Sequence, residues 1–358
     1  MGSQSRARTV GYGLVFFLGC ALTSAVLWLL YADVDLHGSV HSAWDASTGA
    51  FRLGRNTQLV PATHVTTGPL AMDPSYNASA PPQERFFDWT VERADMAPDG
   101  VKRLMYTING QFPGPMMEVT EGDTLIVKVR NHIFDNYKVP PPPMSSKLLD
   151  VHPEGTDRKI SIHWHGLSMR GMQVMDGTSA VTSCALTPGD EHTYRFVVQP
   201  EDVGTHWYHS HVGTSRADGL WGMLIVHARE DERKVLKERA PAHETHWDEE
   251  VAIAVGDHFH EMSPQSLGKY VSIILSSAEP VPDSGLINGK HIFSCNMSRI
   301  TDVPCPAGDK DEVGEYAQFH LRHDLQYRLR LVNVGSLADV MFSVDEHTMT
   351  VIEADGVL

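Results

Sequence analysis

Two short segments concentrate the chemistry in this sequence: Ser161-Ile162-His163-Trp164-His165-Gly166 and Thr205-His206-Trp207-Tyr208-His209-Ser210-His211. In extended backbone, residues i and i+2 share a face about 6.5–7 Å apart, so each His-X-His offers two imidazoles to one side. If the two strands are neighbours, four imidazoles converge with no carboxylate or thiolate among them. An imidazole-only donor set suits copper, zinc or nickel better than calcium or magnesium. One His-X-His pair is more often a chance surface feature; two pairs in one unit, each beside aromatic residues, reverse that weighting. His258 and His260 form a third such pair in Gly256-Asp257-His258-Phe259-His260, but without a companion, and they read as structural. His152, His206, His227, His243 and His246 read the same way. The chain holds 20 histidines, 12 of them between His152 and His260, which is a reason to look for metal there.

Strands must position these histidines, and the surrounding pattern supplies them. Leu125, Val127 and Val129 alternate with Lys128 and Arg130 after the turn Glu121-Gly122-Asp123. Tyr194, Phe196 and Val198 alternate in residues 192–199, and residues 222–226 are a short apolar run. Such strands, with Gly/Pro turns between them, predict an antiparallel sandwich. Residues 132–159, with four consecutive prolines, read as a surface insertion, and the charged stretch 229–239 as a solvated helix or linker. A second β pattern follows, with Val251, Ile253 and Val255 alternating, then Tyr327, Leu329 and Leu331 opposite Arg328 and Arg330. Ser263-Pro264 resembles a capped helix start with proline at the first helical position. Residues 351–358 read as a strand and turn in which the chain stops abruptly.

The composition sets limits. A chain of 358 residues has room for two ordinary domains, and 42% hydrophobic with 21% charged residues is globular rather than disordered. The formal net charge of −16 excludes the basic face that nucleic-acid binding needs. Residues 10–32 are 23 uncharged residues, about 35 Å as a helix and enough to span a bilayer. Arg6 and Arg8 before it and Asp33 and Asp35 after it predict a cytoplasmic tail (1–9) and a single-pass anchor, with everything beyond extracellular or lumenal. A cleaved signal peptide is the alternative, and the rest would then be secreted. Sequons at Asn77 and Asn296 fit export. Outside the anchor stand Cys184, Cys295 and Cys305, an odd number, so one is free or pairs elsewhere. Residues 33–85 read as a linker, 86–230 as a first domain, 231–244 as an interdomain linker and 245–358 as an incomplete second domain.

The strings HWHG (163–166), MDGTSAVTSC (175–184), GTHWYHSH (204–211) and ADGLWGMLIVH (217–227) resemble the first domain of a fungal multicopper oxidase. The resemblance continues through INGQFPGP (108–115), EPVPDSGLING (279–289), YRLRLVNVGS (327–336) and FSVDEHTMTVIEADG (342–356). It implies an all-β fold of tandem cupredoxin (plastocyanin-like, Greek-key) sandwiches. In that family three such domains hold four coppers. A type 1 (blue) copper takes electrons singly from the substrate, and a trinuclear cluster reduces O₂ to water. Carried over by position, His163 resembles a type 2 copper ligand, and His165, His209 and His211 resemble type 3 ligands. Asp176 resembles the carboxylate beside the cluster that helps deliver protons to the reducing oxygen; the plainer reading is an Asp-Gly turn.

The resemblance also implies a third domain carrying a His-Pro-x-His-Leu-His-Gly-His type segment and a His-Cys-His segment, whose cysteine is the blue-copper thiolate. Neither string occurs in this chain, and none of its cysteines is flanked by histidines. The expectation is a fragment of a longer oxidase, inactive alone, with Cys184 at a position that often bridges domains in relatives. Three functions compete. The first is a laccase-like oxidase of phenols. The second is a ferroxidase, for which Glu279 stands where an acidic residue helps hold Fe²⁺ in the iron-oxidising branch. The third is a non-catalytic, membrane-anchored cupredoxin pair.

Overall fold

The alternation in Thr124–Asn131 is realised without exception: every second side chain is buried and the others are partly exposed. The computed structural model of the chain describes residues 50–51, 69–134, 158–230, 234, 246–271, 279–296 and 311–357. In chain order its strands begin with β1 (Ala50–Phe51), β2 (Glu84–Met96), β3 (Arg103–Ile108), β4 (Met117–Thr120) and β5 (Thr124–Asn131). Next come β6 (His163–His165), β7 (Glu191–Val197), β8 (Gly204–His209), β9 (Trp221–His227) and β10 (Glu249–His258). After the helix α1 (Ser263–Tyr270) follow β11 (Ser284–Ile287), β12 (Ile292–Ser294), β13 (Glu312–Gly314), β14 (Tyr327–Asn333) and β15 (Met341–Phe342). The predicted anchor (10–32), most of the predicted linkers, and most of the predicted insertion and charged stretch lie outside the described residues. No helix among the described residues is long and apolar enough to cross a membrane.

Two four-stranded sheets, β3-β2-β5-β7 and β4-β9-β8-β6, contribute to one core. Trp89, Val127 and Phe196 enter it from one sheet, and Val119, Trp164, Tyr208 and Leu224 from the other. The expected antiparallel sandwich is corrected in one respect: β2 and β3 form an antiparallel hairpin, but each sheet also contains a parallel pair (β2 with β5, β4 with β9) alongside its antiparallel ones. The aromatic centre is tight, with the Trp89 and Tyr208 rings 4.6 Å apart and Trp164 and Phe196 5.2 Å apart. Trp164, fully buried between His163 and His165, is the anchor that sets the face of β6. We expect Trp164→Ala to cost about 3–5 kcal/mol, read from denaturant midpoints.

The run at β9 is apolar at nearly every position because both its faces are covered. Leu224 and Val226 face the sandwich core, while Trp221, Met223 and Ile225 join Leu70, Ala252, Ala254, Val332 and Val334 in a second cluster. That cluster joins the sandwich to a three-stranded sheet, β11-β10-β14, whose other face buries Val251, Ile253 and Val255. All described residues fall in one contact unit.

Three further expectations are corrected. Ordered packing begins before residue 86: Leu70 is buried, and Tyr76 bonds Thr120 and Arg85. In β14 the arginines face inward. Arg328 and Arg330 are buried while Leu331 is exposed, because Glu250 bonds both guanidinium groups and Glu353 bonds Arg328. Ser263 does not cap its own helix. Met262 is the N-cap, and the Ser263 hydroxyl is held by Asp218 and Thr214.

Candidate metal centre

Strands β6 and β8 are hydrogen-bonded neighbours in antiparallel register, with His163 opposite His209 and His165 opposite Trp207. Trp164 and Tyr208 point into the core, so His163, His165, Trp207 and His209 share the outer face. The predicted convergence is what the backbone produces. The ring of His163 lies 5.6 Å from that of His165, 5.3 Å from His209 and 5.4 Å from His211. One ring nitrogen from each of His163, His165 and His209 lies within 4.8 Å of the others. His211, exposed just beyond β8, has its ring 6.0 Å from that of His209.

The shortest approach is His165 Nδ1 to His209 Nε2, 3.1 Å. Two nitrogens bound at about 2.0–2.1 Å to one tetrahedral ion stand roughly 3.3 Å apart, so this pair has the spacing of two ligands of one ion. Two further ring nitrogens are tied down. His163 Nδ1 donates to the carbonyl of Asp176 at 2.9 Å, and His209 Nδ1 to the carbonyl of Ser210 at 2.8 Å. A carbonyl only accepts, so both rings carry the proton at Nδ1 and leave Nε2 with a free lone pair. Stacking fixes the remaining freedom: the Trp207 ring is 4.3 Å from His209 and 5.0 Å from His165.

Asp176 caps the turn Gln173–Met175, and its Oδ1 lies 3.3 Å from His163 Nδ1, while Thr178 donates its hydroxyl to Oδ2. The Asp-Gly turn and the contact to the histidines are therefore both real. Gly177 makes the approach feasible. Its φ is +75°, and a Cβ there would sit 1.7 Å from the carbonyl oxygen of Ile162.

At His209 and His165 the electrostatics favour the neutral imidazole, the form that ligates metal. Burial, reinforced by Arg216 and the neighbouring histidines, pushes His209 down to about 3. Burial, with His163 and Arg216, also lowers His165. A depressed histidine means that the unfolded chain takes the proton first, so its stabilising contribution is present above about pH 6.5 and is lost as pH falls towards 3. We expect the urea midpoint of the metal-free chain to fall steadily between pH 7 and pH 4; a flat profile would contradict neutral burial of His209.

The other expected residues are placed less centrally. Glu279 is exposed, and among the described residues no hydrogen bond or ion pair links it to the histidines. Asn77 and Asn296 are exposed. Cys184 is an exposed free thiol, and Cys295 is disulfide-bonded. His206 is buried with Nε2 on the carbonyl of Asp202, His227 bonds Glu118 and His246 bonds Asp248, as structural histidines do. His152 and His243 lie outside the described residues. Two participants had no sequence signal: the carbonyl of Ser210, and Arg216, whose guanidinium lies over Trp207 at 5.6 Å.

Models of multicopper oxidases match residues 90–140 and 149–231, and a second such model matches 249–358. L-ascorbate oxidase of Cucumis sativus is 31% identical over 284 residues, covering 77% of this chain and 41% of that one. Laccase-2 of Cryptococcus neoformans var. grubii is 29% identical over 315 residues, covering 87% and 46%. The crystal structure of a laccase from Botrytis aclada is similar with a TM-score of 0.50 at 26% identity, covering 76% and 43%. This chain thus spans less than half the length of each of these three proteins.

Proposed function

The chain belongs to the multicopper oxidase family, and from that premise we propose that His163, His165, His209 and His211 are half of the oxygen-reducing copper centre of a laccase-like oxidase of phenols. The observation that carries this reading is the pair of ring nitrogens facing each other at 3.1 Å across β6 and β8. An imidazole cluster in which, among the described residues, no carboxylate joins that pair, and two Nδ1 protons held by carbonyls, fit copper chemically. In this reading His163 holds the type 2 ion, and His165, His209 and His211 hold the type 3 ions. Copper bound there would supply the one-electron redox chemistry by which a phenolic donor reduces O₂ to water.

The residues of this chain orient and protonate. The Asp176 carbonyl fixes the tautomer of His163, and its carboxylate, partly exposed and bonded to Thr178, stands where it can pass a proton inward from solvent. The backbone part of that arrangement survives replacement of the side chain. Asp176→Asn in the oxidase should therefore retain its copper and slow phenol-driven oxygen uptake by about 10–100-fold, with a changed pH profile. Unchanged uptake would remove the carboxylate from the mechanism.

Electron entry in this proposal belongs to a blue-copper site built from other residues, because no cysteine of this chain has flanking histidines. The predicted anchor at 10–32 would hold the oxidase at a membrane with its copper domains outside. Comparing a phenol with Fe²⁺ as donor, in wild type and Glu279→Ala, tests the substrate class. Phenol turnover well above iron turnover, unaffected by the substitution, is expected; a selective loss with iron would favour the ferroxidase.

A further inference from the structure

A second cluster lies apart from the four histidines, built on the His258-X-His260 pair that the sequence showed without a companion. Asp99, in the turn between β2 and β3, meets His258 at the end of β10 and His260 just beyond it, across about 160 residues of chain. All three are buried: Asp99 is 0% exposed, His258 2%, and the His260 side chain 5%. One ligand atom from each lies within 4.8 Å of the other two.

Much of the bonding around them is accounted for. Asp99 Oδ2 accepts from His260 Nε2 and from the Ser284 hydroxyl, both at 2.7 Å, and Oδ1 accepts from the amide of Val101 at 3.0 Å. The nearby Arg103 guanidinium is neutralised by Asp218 and bonds the Phe259 carbonyl. What remains is unusual. His258 Nε2 and His260 Nδ1 are buried ring nitrogens without a hydrogen-bond partner. A buried polar atom left unpaired is costly, and the unpaired His258 Nε2 beside the Asp99–His260 pair calls for an occupant.

We propose that Asp99, His258 and His260 form a separate binding site for one divalent d-block cation of the zinc class, clamping the first sandwich to the sheet of β10. Two imidazoles and one carboxylate are donors for such an ion and poor ones for calcium or magnesium. Ser284 fixes the carboxylate, and Phe293 lies edge-on to the His260 ring at 4.8 Å. Occupancy requires His260 to give up its Nε2–H···Asp99 bond. The ring stays neutral if the proton sits on Nδ1 instead, where Asp283 Oδ1 lies 3.8 Å away. No net proton is released by that exchange.

The test uses zinc alone, on the full chain carrying His163→Ala and His209→Ala so that the first cluster does not compete. Calorimetry and metal analysis should give one tightly bound zinc and a Tm raised by about 5 °C or more at saturation. Adding Asp99→Asn or His258→Phe should abolish both effects, with the far-UV circular dichroism unchanged. No zinc uptake by the background chain, or uptake unaffected by both substitutions, would overturn the proposal and leave a water as the occupant. Should the substituted chains fail to fold, cobalt(II) added to the background chain decides. Paramagnetically shifted signals from two imidazoles support the site, and their absence rejects it.

Discussion

His209→Ala is expected to empty the copper centre while leaving the fold in place. His209 and His165 make the shortest nitrogen–nitrogen approach of the cluster, 3.1 Å, and of the two only His209 is buried, with 5% of its surface exposed. Its loss should weaken copper binding by more than the roughly 10–100-fold typical of losing a supporting partner, and in the proposed full oxidase oxygen reduction should disappear with the metal. The fold should lose the ring contact with Trp207 and the Nδ1 hydrogen bond to the Ser210 carbonyl, about 1–2 kcal/mol together, partly offset by removing a buried imidazole that resists protonation. His206→Ala is the matched control. Three residues away, it bonds the Asp202 carbonyl and should lower stability by about 1–3 kcal/mol without changing copper per folded chain. Metal analysis alongside a urea titration separates the two outcomes. Equal copper loss in both variants would mean that the cluster has no special part in binding.

The second large effect concerns the seam between the sandwich and the following sheet. Glu250 accepts from Arg330 Nε at 2.7 Å and from Arg328 at 3.4 Å, with the arginine side chains only 0% and 5% exposed. Glu353 also bonds Arg328 at 2.6 Å, and Arg330 reaches Thr205 at the start of β8. Glu250→Ala removes the carboxylate that the two guanidinium groups share and should cost about 3 kcal/mol, since taking one partner out of a buried ion-pair network is strongly destabilising. Replacing Glu250 and Arg330 together by apolar residues should recover much of that loss. If Glu250→Ala melts like wild type, the buried network is not holding the seam.

How much of this was legible follows from how far each interaction reaches along the chain. Period-two alternation exposed β5 and β7, because one apolar face is a local property, whereas β10 is buried on both faces and only Val251, Ile253 and Val255 marked it. The His-X-His pairs were readable for the same reason, and only the pairing of β6 with β8 had to be assumed. The burial of Arg328 and Arg330 was not readable. Their partners Glu250 and Glu353 lie 78 and 25 residues away from Arg328, and alternation alone cannot say which face is covered. Leu70 escaped notice because its segment has no period, although its side chain completes the cluster around Trp221 and Ala252. His258 and His260 were read as an isolated pair, yet Asp99 completes them through a turn that no spacing rule connects to β10. The conclusion on Asp176 moved in the other direction. The resemblance named its carboxylate, and the structure adds that its backbone carbonyl sets the tautomer of His163.

The central claim is that this chain carries four imidazole ligands of a copper centre and no blue-copper thiolate. Electron paramagnetic resonance and visible absorption of the copper-loaded chain, with metal analysis, test it most directly. The account predicts copper coupled to imidazole nitrogens, no intense blue band, and loss of that signal in His163→Ala and His209→Ala. An intense blue band, or a copper signal untouched by both substitutions, would contradict it.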